Sequence, residues 1–519
     1  MVGFSLDNPL TVLTTFAFAL FSWFLFTRLF FSLSRKSSNA PPAVPGLPVL
    51  GNLLQLKSKK PHMTFTKWAE AYGPVYSIKT GATTLVVLNS TDVAKEALVD
   101  RFSSISTRKL SKALQILTCD KAMVAMSDYG EEHKLMKRCI LTSLLGSNAQ
   151  KQHRFDRNTM IENMMQSLHD EVKDNPTGSI CIRDIIKKEL FTFSLKKALG
   201  RDVGSVYVEE LGRTVSKWEI YDILVIEPMM GALEVDWRDF FPYLRWIPNR
   251  TVEERIQRMD FHKTAVMAAL IQEQKKRFAM DEDSYVDRLQ EKDCYLNFLL
   301  SEAKTLSEKQ IMTLTWEAII EASDTTMVAA EWAMFELAKN PKLQNCLYDE
   351  IHKICGEDKL IEDVLHRLPY LNAVFHETLR KHSPVAIMPP RYVHEDTQIG
   401  GFTIPAGSEI ALNLYGCNMN KNVWEKPEEW RPERFLNGKY EQMDLFKTMA
   451  FGGGKRVCAG ALQAMTIVCT AIGRFVQEFE WRLNGEEEDT EELVLLTTHK
   501  LKPMQASITP RSKILQTYG

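Results

Sequence analysis

The chain has 519 residues, 45% of them hydrophobic and 25% charged, with a formal net charge of -2. This suits a globular protein with a sizeable core, and it lacks the basic excess of a nucleic-acid binder. Nine cysteines, an odd number without a C-x-x-C pair, exclude a disulfide framework and a zinc ribbon and point to reduced thiols in the cytosol.

The first feature in chain order is Leu10 to Thr27, a run without a charge. At about 1.5 Å per residue it makes a helix of roughly 27 Å, enough to cross a bilayer. Arg28, Arg35 and Lys36 follow it and only Asp7 precedes it. The positive-inside rule then leaves residues 1–9 across the membrane and the body in the cytosol. A cleaved signal peptide needs its bases before the apolar run, so a single-pass transmembrane anchor over 10–27 is expected. A basic, Pro-rich hinge fills 28–52, and its "PPAVPGLPVLGN" (41–52) cannot be helix. Residues 53–519 form one interleaved body.

"VYSIKTGATTLVVLN" (75–89) alternates around a Gly-containing turn, which predicts a hairpin, and Ser90 or Thr91 caps a following helix. From about 130 to 385 the pattern is mostly helical. Within it, Ile311, Leu314, Ala318, Ile319, Ala322, Ala329, Ala330 and Ala333 recur three and four apart and predict a buried helix. The same turns carry Glu317, Glu321, Asp324, Thr325 and Thr326, and carboxylates rarely go inside without partners. Strands are predicted within 397–415 and a long apolar helix over 458–480. The expected fold class is mainly α with small β-sheets, preceded by one N-terminal transmembrane helix.

"FGGGKRVCAG" (451–460) is the strongest local signal. Three glycines make a loop whose backbone approaches something closely. Cys458 is expected at the start of a helix, where the dipole, Lys455 and Arg456 favour a thiolate. Such a thiolate is a nucleophile or a metal ligand. A thiolate on haem iron, with Arg456 turned to a haem propionate, accounts for the whole stretch.

Phe451, Gly454, Arg456, Cys458 and Gly460 satisfy the pattern F-x-x-G-x-R-x-C-x-G, which resembles the haem-binding loop of the cytochrome P-450 monooxygenases. "FHETLR" followed by "PERF" is similar to that family's structural triad, here Glu377, Arg380 and Arg434. The resemblance covers the chain and implies the cytochrome P-450 fold. It implies heme b (iron protoporphyrin IX) on the Cys458 thiolate, with O2 and electrons from NADPH through NADPH–cytochrome P-450 reductase. Arg391 matches a residue that reaches a propionate; His133 and Lys137 stand where the family has Trp and Arg, and either both donate to a propionate or His133 is an exposed, solvated histidine. Lys134, Lys137, Arg138 and Lys455 are expected to form a basic patch for an acidic electron donor.

In the same resemblance Asp324 and Thr325 are the proton-relay pair. Neighbours on a helix point about 100° apart, so one can face the oxygen while the other reaches back toward solvent. This pair speaks against a non-catalytic haem-binding membrane protein. Glu321 stands where the family has a small residue, four before Thr325. Either it enters the pocket and orders a water beside Thr325, or it pairs with a base on a neighbouring helix.

Longer stretches, including "VDWRDFFPYLRWIPN" and "IIEASDTT", resemble the plant diterpene-oxidising branch of the family. That implies a hydrophobic diterpene substrate, three successive oxidations of one methyl group, contact with membrane lipid, and residence in the endoplasmic reticulum or plastid outer envelope. The alternative is a hydroxylase of another diterpene or sterol-like hydrocarbon. Expected pocket residues are Leu114, Ile116, Leu117, Ala318, Val385, Ala386, Ile387 and Met388, beneath a lid containing Pro228, Met229 and Met230.

Overall fold

A computed structural model describes residues 14–19, 21–23, 39–56, 60–175, 178–280, 294–302, 305–436, 448–485, 491–494 and 496–511. Half of the expected anchor, 10–27, and the bases after it lie outside the described residues; 14–19 and 21–23 are helical. Among the described residues no helix is long and apolar enough to cross a membrane.

The expected hairpin is present as β1 (Val75–Thr80) and β2 (Thr83–Leu88), and the helix after Ser90 begins at Thr91. Chain order continues with β3 (Thr107–Arg108), β4 (Ile180–Cys181), β5 (Ser205–Val208), β6 (Arg213–Ser216) and β7 (Ile387–Tyr392). Then come β8 (Thr397–Ile399), β9 (Phe402–Ile404), β10 (Glu409–Asn413), β11 (Phe479–Leu483), β12 (Glu491–Val494), β13 (Thr497–Lys500) and β14 (Gln505–Pro510). The largest sheet has the order β1-β2-β10-β7-β3, parallel at β2/β10 and antiparallel elsewhere. In it Arg108 of β3 lies opposite Arg391 of β7. The β5/β6 hairpin interrupts a region expected to be helical. Gly212, at φ +63°, makes its turn, a conformation that costs glycine nothing.

The helices that build the site are α1 (Lys112–Leu117), α2 (Glu131–Ile140), α3 (Arg154–Asp174), α4 (Ile182–Leu199), α5 (Arg250–Met280), α6 (Glu308–Lys339), α7 (Pro341–Cys355), α8 (Pro369–Lys381) and α9 (Ala461–Glu478). Helix α6 contains the predicted periodic run and is much longer than it. Ser307 and Gln310 close a capping box at its start. No Pro or Gly interrupts it until Asn340, held extended by Pro341.

Two hydrophobic cores meet along α6. Its first half, Ile311 to Ile320, packs with residues of α2, α4 and α5. Its second half, from Met327, packs with α3, α7, α8 and α9. The seam between them falls at 321–326, where the polar residues are.

Candidate functional site

From Thr313 to Ala338 helix α6 is buried except at Ala318, Glu321, Ala322 and Thr325. The spacing i, i+3, i+4, i+7 makes these four one stripe. Glu321 has accessible side-chain surface, yet burial raises its carboxyl well above the usual carboxylate range. A group both desolvated and accessible faces an enclosed chamber. Cys458 has the same combination, and Glu321 is near enough to act electrostatically on its thiol. The stripe and the cysteine therefore look into one chamber.

The loop that carries Cys458 is held from several sides. The Cys458 N–H donates to the Phe451 carbonyl at 2.9 Å, and the Phe451 ring lies near Phe375 of α8. Gly454 has φ +63°, and a Cβ there would meet the Leu98 carbonyl oxygen at 2.3 Å. Lys137 of α2 donates to the carbonyls of Lys455 and Val457 at 2.9 and 3.4 Å. Lys137 thus braces the loop backbone, where a propionate donor was expected.

Cys458 precedes α9 by three residues, and the cations near it point away. Lys455 lies over the rings of Phe102 and Tyr129, and Arg456 donates to the Ser127 carbonyl. Burial pushes the Cys458 thiol up to about 11 instead of down. A protonated thiol is a weak nucleophile, whereas a metal deprotonates the thiol that coordinates it. The donor set therefore fits a ligand.

Beside the loop, Arg108, His133, Arg391 and Arg456 converge. The Nε and Nη1 of Arg391, the Nε of Arg456 and the Nε2 of His133 are buried without a hydrogen-bond partner. Arg108 donates to the carbonyls of Ala125 and Pro389 at 3.2 and 3.0 Å. Burial, then the charges of Arg108 and Arg456, lower Arg391 to about 8; burial, then Arg456, lower Arg108 to about 9. His133, its Nδ1 2.8 Å from the Ser127 hydroxyl, falls to about 4 through burial and the same cations, so it is neutral at pH 7. Buried guanidinium groups repelling one another require an anionic partner. Haem, with two propionates, suits this cluster beside a cysteine. Sequence reasoning missed Arg108, because one arginine in an aperiodic stretch carries no signal until β3 pairs with β7.

Asp324 is buried and does not reach toward solvent. Its Oδ2 accepts from the Thr497 hydroxyl and lies 3.1 Å from His499 Nε2, both on β13. Glu321 opens onto the chamber on the same stripe as Thr325, its hydrogen-bonding neighbour is another acid, Glu317, and the base acting on it is Arg108, on strand β3 and not on a neighbouring helix. The triad residues do meet: Arg380 donates to both Glu377 oxygens at 2.7 and 2.8 Å and Arg434 to one at 3.2 Å.

The expected pocket set divides. Ala318 is on the stripe, and Leu114, Ile116 and Val385 are half-buried. Leu117 is core between α1 and α5, against Ile256. Ile387 packs outward against the cluster of Val44 and Phe65, and Ala386 and Met388 are buried, Met388 beside Gly452. The bases Lys134, Lys137, Arg138 and Lys455 line one surface cleft of about 700 Å³.

A family model described as "Cytochrome P450" matches residues 41–504. The chain is 61% identical over 490 residues to a protein named ent-kaurene oxidase from Salvia miltiorrhiza, covering 94% of this chain and 93% of that one. It is 58% identical over 480 residues to ent-kaurene oxidase 2 of Oryza sativa subsp. japonica (92% and 93%). It is 52% identical over 479 residues to the ent-sandaracopimaradiene 3-hydroxylase of the same plant (92% of each).

Proposed function

The chain belongs to the cytochrome P450 family, and from that premise we propose that it oxidises the carbon-19 methyl of ent-kaurene through the alcohol and aldehyde to ent-kaurenoic acid, a gibberellin precursor. As a family member it is a haem-thiolate monooxygenase that uses O2 and electrons from a reductase. The observation that carries the substrate is the 61% identity to an ent-kaurene oxidase over nearly the whole of both chains.

In this reading Cys458 ligates the iron, and Arg391, Arg456, Arg108 and His133 hold the propionates. When bound, the haem supplies reductive activation of O2. Thr325, on the stripe, presents its hydroxyl to the chamber. Asp324, whose Oδ2 accepts from the Thr497 hydroxyl and lies beside His499, is the group that relays protons toward Thr325. Glu321 contributes its carboxyl to the same face. Glu377, Arg380 and Arg434 are scaffold. The basic cleft of Lys134, Lys137, Arg138 and Lys455 receives an NADPH-dependent reductase.

Residues 10–27 serve as a single-pass anchor, with 1–9 beyond the membrane, 28–52 as hinge and 53–519 as a cytosolic body, at the endoplasmic reticulum or plastid outer envelope. An apolar surface supports contact with lipid: Leu47, Val49, Met230, Val235 and Trp246 are all exposed. The segments join where Gly81 N–H donates to the Leu50 carbonyl and Ala82 N–H to the Phe240 carbonyl.

The test is turnover of ent-kaurene by the full chain in membranes with NADPH and reductase. Alcohol, aldehyde and acid in succession are expected. The relative named for 3-hydroxylation of a different diterpene supplies the second reading. A single alcohol from another diterpene, with ent-kaurene untouched, would favour it.

A further inference from the structure

The carboxyl pair inside α6 is not explained by the motif around it. Glu317 is fully buried, and its two oxygens accept the N–H groups of Val124 and Ala125 at 2.8 Å each. Two backbone donors favour an ionised carboxylate at Glu317. Glu321 lies one turn on, in hydrogen-bonding contact with it. Touching carboxylates in a desolvated place do not both ionise; burial raises both, Glu317 gives up its proton first, at about 7, and the one that remains sits on Glu321. The other ionisable groups acting on the pair are Arg108 of β3, Tyr295 and Cys458. With its O–H committed to Glu317, Glu321 has its carbonyl oxygen left for the chamber onto which its accessible surface opens.

We propose that Glu317 and Glu321 form a one-proton pair in which Glu317 is a positioning residue and the free carbonyl oxygen of Glu321 is a hydrogen-bond acceptor for hydroxylated reaction intermediates. This rests on the three-step reading above. The starting hydrocarbon has no donor to offer. Its alcohol has an O–H, and so has the hydrate of its aldehyde. The ionised product has no donor, and its charge is repelled by the Glu317 carboxylate one turn behind Glu321. One oxygen atom therefore holds the two species that must stay for further oxidation and favours departure of the one that is finished. The apolar walls cannot make that distinction, because a site without polar partners discriminates weakly on an added hydroxyl.

The test uses the full chain with haem bound, in membranes. Spectral titrations compare ent-kaurene with its carbon-19 alcohol in wild type, Glu321→Leu, Glu321→Gln and Glu317→Gln. Glu321→Leu is expected to weaken the alcohol relative to the hydrocarbon by about tenfold, the value of one buried hydrogen bond. Glu321→Gln keeps a carbonyl and restores most of the preference. In turnover, Glu321→Leu releases alcohol in place of acid. Infrared difference spectra between wild type and Glu321→Gln should show one protonated carboxyl band that shifts in heavy water and is altered in Glu317→Gln. If Glu321→Leu does not take up haem, Glu321→Gln and the infrared band decide. Equal weakening of both ligands, or no protonated carboxyl in wild type, overturns the pair. Wild type that neither binds nor oxidises ent-kaurene removes the substrate reading and this inference with it, a failure visible without any variant.

Discussion

Glu377 and Glu321 are both acids set into buried helices, and the fold treats them in opposite ways. Glu377 is saturated by Arg380, Arg434 and the Arg431 N–H, the last at 2.7 Å. Glu321 meets another acid and an open chamber. Arginines show the same contrast. Arg380 spends its guanidinium on Glu377 and the carbonyls of Asn418 and Glu429, while Arg391 keeps buried donors without partners. A closed set of partners marks scaffold. An open set marks a place where a ligand completes the chemistry.

The largest break in this comparison is at the chamber's cysteine. Cys458→Ala should abolish turnover and the carbon monoxide spectrum of a thiolate haem while the folded body persists, because Cys458 closes no partner set within the protein. Next, Glu377→Ala should strand Arg380 and Arg434, both buried, and cost about 3–5 kcal/mol, enough to prevent accumulation of folded, haem-loaded protein. Glu321→Gln, an equally central acid, should leave the yield of holoprotein near wild type. Comparing holoprotein yields by haem absorbance separates the two, and equal losses would sink the distinction between closed and open sets.

Asp324 lies between these extremes, since its carboxylate has partners but sits beside the stripe. Asp324→Asn should preserve the fold and lower turnover about a hundredfold, as expected for loss of a general acid–base group. The check is product formation together with the solvent isotope effect. Arg391→Leu should act with two signs. It relieves repulsion among Arg108, Arg391 and Arg456, so haem-free protein gains about 1 kcal/mol, while haem is held less firmly. Unfolding of the apoprotein and transfer of haem to an acceptor protein measure the two effects separately.

The division between closed and open sets also explains what could be read from the sequence. The cysteine loop and α6 were legible because their signals are local: glycines before a cysteine, and apolar residues three and four apart. The triad was legible through two short motifs. Arg108, the Val124–Ala125 backbone that fixes Glu317, and His499 opposite Asp324 were not, because they come from distant, aperiodic segments. The expectation of a low thiol pKa at Cys458 failed for a related reason. Sequence supplies Lys455 and Arg456 as charges but not their directions, and burial then outweighs them. Lys137 likewise was assigned to a propionate by position, whereas its reach ends on the loop carbonyls.

The smallest effect is one of pH, and it tests Glu317 and His133 together, both tied to the 124–127 segment, Glu317 through the Val124 and Ala125 N–H groups and His133 through the Ser127 hydroxyl. Glu317 is raised by burial from 4.5 to about 7. As pH rises from 4.5 the unfolded chain releases this proton while the folded chain retains it. Stability therefore falls across that window and levels off above about 7. His133 is lowered by burial from 6.5 to about 4. As pH falls below 6.5 the unfolded chain takes up a proton that the folded chain refuses, so stability is lost toward pH 4. Between 4.5 and 6.5 the two slopes oppose, and their contributions largely cancel. Relative to wild type, Glu317→Gln should gain stability as pH rises through this window, and His133→Gln should lose it, each by about 1–2 kcal/mol. Urea unfolding of the apoproteins across the window reads both signs. Parallel rather than diverging curves would mean that neither group carries the protonation state its surroundings dictate.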